Sequence, residues 1–321
     1  MVFRFMRSAV ISQPFCAEVS QVATPSPGPG EIRVKLEGCG ICGSNVPPWE
    51  GRPWFRYPLE AGAPGHEGWG FVDALGCDVH EFALGERVAF LSDHAFAEYD
   101  LAPANQCLRL PHELDGKPFP AEPLGCAMNV FRRSSIRRGE RVAIIGVGFL
   151  GAVLVRLAAN AGARVTAYSR RPAAIRIAEL FGASETVKLH RDSSLLACVD
   201  SVTGAPFDCV IEAVGKQETL DLATQLTRER GRLIIAGYHQ DGWRRVDMQL
   251  WNWRGLDVIN AHERDPKVYL EGMQAALDAV LSGALDPTPL YTHTFPLEEL
   301  GMALETTRRR PAEMLKALVL T

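Results

Sequence analysis

Apolar and polar residues alternate strictly through Glu31-Ile32-Arg33-Val34-Lys35-Leu36, the period of a strand with one buried face. Trp69 to Leu75, Arg87 to Leu91 and Phe96 to Leu101 read as further short strands. Pro25-Ser26-Pro27-Gly28-Pro29-Gly30 fits neither a helix nor a central strand and is expected to be a loop. Short strands at this spacing predict a small all-β barrel or sandwich over residues 1–121.

After residue 121 the period changes. The apolar run Val142 to Ile145 leads into Leu150, Val153, Leu154, Leu157 and Ala158, which share one face of a helix. Arg164 to Tyr168, Asp208 to Ile211, Leu233 to Ala236 and Asp257 to Asn260 read as the strands that follow. Strands alternating with helix-length amphipathic segments predict a parallel, doubly wound sheet over 122–285. From 286 to 321 short strands return, at Pro289 to Phe295 and Leu315 to Leu320, and these are expected to complete the first domain, which is then discontinuous. The length of 321 residues agrees with two domains at roughly 150 residues each.

Composition changes this picture little. The chain is 47% hydrophobic and 22% charged, with a formal net charge of −4, so a broad attraction to nucleic acid or an anionic membrane is not expected. No apolar stretch reaches the about 18 residues a bilayer span needs, and the N-terminus lacks the apolar core of a secretion signal. A cytoplasmic location with reduced thiols is expected for the eight cysteines. The basic run Arg308-Arg309-Arg310 reads as a solvated helix end.

Gly146-Val147-Gly148-Phe149-Leu150-Gly151 joins a predicted strand to a predicted helix. Gly146 allows the tight turn, Gly148 lets the backbone approach a pyrophosphate, and Gly151 allows close packing of helix on sheet. The helix N-terminus offers free N–H groups to the phosphates. The bland alternative is a glycine-rich turn in a domain that binds nothing. NAD sites end the next strand with an acid for the ribose hydroxyls. Here the run is Tyr168-Ser169-Arg170-Arg171, with no acid. Ser169 can bond a phosphate without repelling it, and Arg170 and Arg171 can pair with one, which favours NADP over NAD.

Three further segments carry metal-binding residue types: Cys39-Gly40-Ile41-Cys42-Gly43-Ser44-Asn45, Gly65-His66-Glu67 and Glu122-Pro123-Leu124. A thiolate, an imidazole and carboxylates suit a catalytic zinc that keeps one position open. Each has an ordinary reading too. Cys39 and Cys42 could form a redox pair or half a zinc knuckle, His66 a hydrogen-bonded loop histidine, and Glu122 a helix-capping acid.

Taken in order, Cys-Gly-Ile-Cys-Gly-Ser, Gly-His-Glu, Glu-Pro-Leu and the glycine turn resemble the zinc-containing medium-chain dehydrogenases, nearest to their sorbitol/polyol and threonine dehydrogenase-like branch. The likeness extends to Phe207–Gly215 and Gly231–Gly237. It implies a GroES-like barrel beside a Rossmann domain, an alcohol or polyol dehydrogenase working with NAD(P), and one catalytic zinc. By the same resemblance Cys42 and His66 are zinc ligands and Cys39 is not, while Glu67 and Glu122 both lie near the metal in an order left open. Ser44 matches the hydroxyl that relays the substrate proton. Phe149, Leu150, Ala213, Val214, Gly215 and Gly237 join the cofactor site.

Two departures stand out. Relatives carry Asp where Asn45 stands and His where Pro47 stands, so the charge behind the imidazole and the usual end of the proton relay are both missing. The four-cysteine lobe of many relatives is absent too, and no structural zinc is expected. The strand Asp257 to Asn260 corresponds to the sheet edge that relatives pair across a dimer axis, which implies a homodimer or homotetramer. A zinc-free quinone or enone reductase on the same fold, and a non-catalytic NADP-binding protein, are the alternative functions.

Overall fold

The computed structural model describes residues 4–189 and 207–321. The chain divides into two compact units, one formed by Met1–Gly125 and Asp265–Thr321, the other by Cys126–Arg264. These boundaries lie at 125 and 265, where the sequence reading had placed them at 121 and 286. The helix Pro266–Leu281 packs on the strand Cys107–Arg109 and the turn Ala104–Gln106 of the first unit.

The first unit is built on a seven-stranded sheet and a two-stranded hairpin. Its central strand, Glu31–Ile41, begins with the predicted alternation, burying Ile32, Val34 and Leu36. From Gly38 onward every residue is buried or nearly so. There the strand is covered on both faces, and the alternation gives way to Gly38-Cys39-Gly40-Ile41. This strand pairs antiparallel with Gly68–Leu75 on one side and Lys316–Leu320 on the other. The C-terminal strand therefore lies against the stretch that leads to Cys42. The strand expected at Phe96–Leu101 runs instead over Tyr99–Pro103. The hairpin Phe5–Gln13 with Cys16–Ala23 was not foreseen.

The second unit is a six-stranded, fully parallel sheet. Taking Arg141–Ile145, Arg164–Ser169, Glu185–Lys188, Phe207–Glu212, Thr227–Ile235 and Asp257–Asn260 as first to sixth, the spatial order is third, second, first, fourth, fifth, sixth. The order reverses between Arg141–Ile145 and Phe207–Glu212, and loops leaving the carboxyl ends of strands at such a point form a ligand crevice. Val142, Ala143, Ile144 and Ile145 are wholly buried, as a strand covered on both faces requires. Helix Phe149–Asn160 buries more than the predicted stripe, with Gly151, Ala152 and Val155 also inside.

Trp251 and Arg254 lie on the short helix Met248–Arg254 and serve packing there. The Trp251 indole donates to Thr224 Oγ1 at 3.1 Å, and Arg254 donates to the carbonyls of Thr224, Gln225 and Thr227. Among the described residues, no helix is long and apolar enough to cross a membrane.

Candidate metal centre and nucleotide site

Cys42 sits directly after the Glu31–Ile41 strand and heads the single turn Gly43–Asn45. Its N–H donates to Asn45 Oδ1 at 2.8 Å, which ties the turn to the cysteine. Asn45 is buried, and its amide nitrogen donates to the Pro64 carbonyl at 2.8 Å. The same carbonyl lies 2.9 Å from His66 Nδ1. A proton on Nδ1 satisfies that contact and leaves Nε2 with its lone pair, the tautomer a metal ligand needs. A backbone carbonyl thus orients the imidazole. Asn45 holds that carbonyl and its amide nitrogen also lies 3.4 Å from His66 Nδ1, while its oxygen is occupied by the Cys42 N–H.

One donor atom each from Cys42, His66 and Glu67 lie within 4.8 Å of one another. Ser44 Oγ is 3.4 Å from His66 Nε2. Cys39 is absent from this group. It is wholly buried in the hydrophobic core, its thiol pushed well up by burial, with its Sγ against the Gly40 carbonyl at 3.3 Å. The Cys-x-x-Cys therefore splits, one sulfur serving packing and one chemistry.

Burial alone would raise the Cys42 thiol, but the hydrogen bond and charge of His66 overcome it and lower the value. Burial likewise opposes charge on His66, yet the Cys42 thiolate, with Glu122 and Glu67, lifts it to about 10. Each group therefore favours the charged form of the other, thiolate and imidazolium. Glu122, in the first turn of helix Ala121–Ser134, lies outside the three-residue group but close enough for its charge to act on His66 and Lys316.

Lys316 belongs to this site and was missed by sequence reasoning. Its Nζ donates to Glu67 Oε1 at 2.5 Å and lies beside Oε2. Glu67 Oε2 is buried without a hydrogen bond of its own and has the Lys316 ammonium as its ion-pair partner. A thiolate, an imidazole nitrogen and a carboxylate oxygen within 4.8 Å of one another fit a zinc ion. Gly40 is part of the fit, since a Cβ there would stand 1.9 Å from Glu67 Oε2. The only trace of Lys316 in the sequence is a lone cation within an apolar strand.

The candidate nucleotide site lies in the other unit. Gly146 takes a φ of 96° directly after its strand, and Gly148 caps helix Phe149–Asn160. A Cβ on Gly151 would meet the Gly146 carbonyl at 1.9 Å, so the helix approaches the turn as the glycine pattern predicted. Ser169 is buried, and its Oγ accepts from the Arg171 N–H at 3.3 Å. The Arg171 guanidinium reaches the Val147 carbonyl at 3.4 Å, and Arg170 is exposed. Ser169 and Arg171 therefore gather at the glycine turn.

Glu212 organises the neighbouring loop. Its carboxylate accepts the N–H groups of Val214 and Gly215, both at 2.9 Å, and the Thr219 hydroxyl at 2.7 Å. Burial pushes against its charge, but hydrogen bonds from His239, Thr219 and the two amides hold its pKa low. The Gly237 N–H donates to the Glu212 carbonyl at 2.7 Å. Ala213, Val214, Gly215 and Gly237 are thus held around one buried acid. Sequence reasoning listed these neighbours without Glu212, whose signal was an acid ending an otherwise apolar strand.

Comparison with known proteins agrees with the family these motifs resemble. Residues 28–112 match the alcohol dehydrogenase GroES-like domain, and residues 150–277 match the zinc-binding dehydrogenase domain. A sorbitol dehydrogenase from Gallus gallus is 26% identical over 324 residues, covering 89% of this chain and 88% of that protein. A 2-dehydro-3-deoxy-L-galactonate 5-dehydrogenase from Pseudoalteromonas atlantica is 26% identical over 325 residues, covering 92% of each. Among solved structures, a protein described as a zinc-binding dehydrogenase from Sinorhizobium meliloti 1021, bound to NADP, superposes with a TM-score of 0.85 at 28% identity, covering 99% of this chain and 100% of that one. Fold and motifs together are those of a dehydrogenase. The chain belongs to the zinc-type medium-chain dehydrogenase/reductase superfamily.

Proposed function

We propose that the protein is a zinc-dependent oxidoreductase that moves a hydride between a secondary alcohol or polyol and NADP, with NADP preferred over NAD. The observation that carries this reading is the convergence of Cys42, His66 and Glu67 donor atoms within 4.8 Å. Zinc bound there supplies Lewis acidity, which lowers the pKa of a coordinated hydroxyl toward neutrality. Cys42 Sγ and His66 Nε2 hold it, and Glu67 or Glu122 completes the set. Ser44 accepts the hydroxyl proton, the role its place beside His66 Nε2 suits. NADP, when bound, would supply the hydride acceptor for the carbinol carbon. Asn45 is a positioning residue, acting on His66 through the Pro64 carbonyl. Pro47 is buried in the short helix Val46–Glu50 and has no ionisable group, so the proton departs from Ser44 by another route.

On the nucleotide side, the N-terminal turn of helix Phe149–Asn160 takes the diphosphate. Ser169, Arg170 and Arg171 take the additional phosphate of NADP. The polyol assignment rests on the sorbitol and sugar-acid dehydrogenases among the relatives. Trp49 is given to packing, being buried with its indole on Glu305 at 3.2 Å, whereas Trp54 is 59% exposed and available to a sugar. The sixth strand, Asp257–Asn260, ends the sheet among the described residues and exposes Val258, an edge suited to pairing with a second copy.

The test joins metal analysis to turnover. One zinc per chain and NADP-linked oxidation of polyols, both lost in Cys42→Ala, are expected. Full turnover by a zinc-free protein overturns the proposal in favour of the metal-free reductase reading, and stoichiometric zinc and NADP binding without turnover of any alcohol or carbonyl favours the non-catalytic one.

A further inference from the structure

Helix Leu300–Arg309 ends on Arg310, which adopts the left-handed conformation at φ 49° and ψ 66°. This is the place where helices commonly carry glycine, because a Cβ there crowds the backbone. Backbone strain of this kind persists only where something else selects the residue. The two arginines before it have structural work. Arg308 donates to both Glu305 oxygens at 2.8 and 2.7 Å, and Arg309 reaches the same carboxylate at 2.5 Å. Arg310 has no hydrogen bond or ion pair from its side chain among the described residues. Its Nη2 instead lies beside Gly43, 3.3 Å from where a Cβ on that glycine would stand. Gly43 is the residue between Cys42 and Ser44. The residue remains open to solvent. A strained position therefore delivers a planar cation with five donors to the edge of the metal centre, where no protein carboxylate takes it up.

We propose that Arg310 is a specificity residue that receives the carboxylate of an acidic polyol, so that the substrate is a sugar acid in place of a neutral sugar alcohol. The proposal rests on the metal centre being the substrate site. A sugar acid carries its carboxylate a few carbon atoms from its hydroxyls, and Arg310 lies beside Gly43, the residue next to Cys42. A guanidinium matches a carboxylate through two parallel hydrogen bonds and discriminates against a neutral hydroxyl. A cofactor phosphate is the other anion to consider. The phosphates already have the helix end at Gly148 and the pair Arg170 and Arg171, all in the second unit, whereas Arg310 stands in the first unit with the metal ligands.

The test measures binding, independently of turnover. Zinc-loaded protein is titrated calorimetrically with gluconate, galactonate and idonate and with sorbitol, galactitol and iditol, in the wild type, Arg310→Gly and Arg310→Lys. At least one acid is expected to bind tenfold or more tightly than its neutral counterpart. Arg310→Gly is expected to abolish that preference, with affinity for the neutral polyols and NADPH unchanged, and Arg310→Lys to keep part of it. Glycine suits the left-handed backbone, so the Arg310→Gly protein is expected to melt no earlier than wild type, which separates lost recognition from lost folding. Acid binding that is no better than polyol binding, or that survives Arg310→Gly, overturns the proposal. So does a loss that falls on NADPH, which would make the cofactor's phosphate the bound anion. Selective acid binding without hydride transfer would instead overturn the dehydrogenase reading and leave the role of Arg310 standing.

Discussion

Lys316 Nζ and Glu67 Oε1 lie 2.5 Å apart, and the two side chains keep only 4% and 0% of their surface in water. Removing one partner of such a pair strands the other's charge, at a cost of about 3–5 kcal/mol. Lys316→Met is therefore expected to lower the stability of metal-free protein by an amount of that order. Zinc should restore more stability to the variant than to wild type, because a cation at Glu67 replaces the missing charge. Adding Glu67→Gln to Lys316→Met should recover much of the loss. Denaturant titrations with and without a chelator check all three, and a variant as stable as wild type would contradict the pairing.

Zinc uptake should release close to one proton at pH 7.5. The metal-free His66 is raised to about 10 and so is protonated there, while a ligand imidazole must be neutral. Cys42 is lowered and contributes less. The sign is that apparent zinc affinity climbs with pH until His66 loses its proton near 10. Calorimetry in buffers of different ionisation enthalpy counts the proton, and a buffer-independent heat would refute the thiolate–imidazolium pair.

Ser169→Asp should reverse the cofactor preference. The buried hydroxyl sits at the end of its strand beside Arg170 and Arg171, and a carboxylate in its place repels a phosphate and accepts ribose hydroxyls. The ratio of NADPH to NADH affinity is expected to fall at least about tenfold, equal to roughly 1.4 kcal/mol. Fluorescence titration with the two reduced cofactors measures it, and an unchanged ratio would mean that the phosphate binds elsewhere.

Gly151→Ala puts a Cβ 1.9 Å from the Gly146 carbonyl oxygen, a contact that only backbone movement relieves. Overpacking of this kind costs about 1–3 kcal/mol. Loss of NADPH binding is expected together with retention of zinc, since the metal ligands belong to the other unit. Thermal melts, cofactor titration and metal content report on the separate parts, and wild-type NADPH affinity would show that the glycine turn does not hold the nucleotide.

These cases show what the sequence made legible. The second unit could be read because most of its strands carry a short apolar run and alternate with helix-length amphipathic segments. Asp257–Asn260 was bounded to the residue, and Arg141–Ile145 within one. The ligand trio was legible because each member sits beside a glycine or in a recognisable tripeptide. The hairpin Phe5–Gln13 with Cys16–Ala23 was not, since polar residues such as Ser8 occupy positions that the fold buries. Lys316 escaped because its partner is 249 residues away and nothing local records the pairing. Arg310 escaped for a related reason. Its run of three arginines reads as solvated helix end, and only the backbone twist at the last of them separates it from the other two. The Pro64 carbonyl that aims His66 was invisible too, because a backbone atom leaves no mark on residue type.

The antiparallel pairing of Lys316–Leu320 with Gly38–Ile41 has a consequence for biosynthesis. A ribosome finishes Cys42, His66 and Glu67 long before it reaches Arg310 or Lys316. The nascent chain thus displays three metal-seeking groups while the lysine that neutralises Glu67 does not yet exist. Metal captured at that moment meets a more negative and more open site than metal delivered after release, so the timing of loading, as well as affinity, bears on which ion the protein carries.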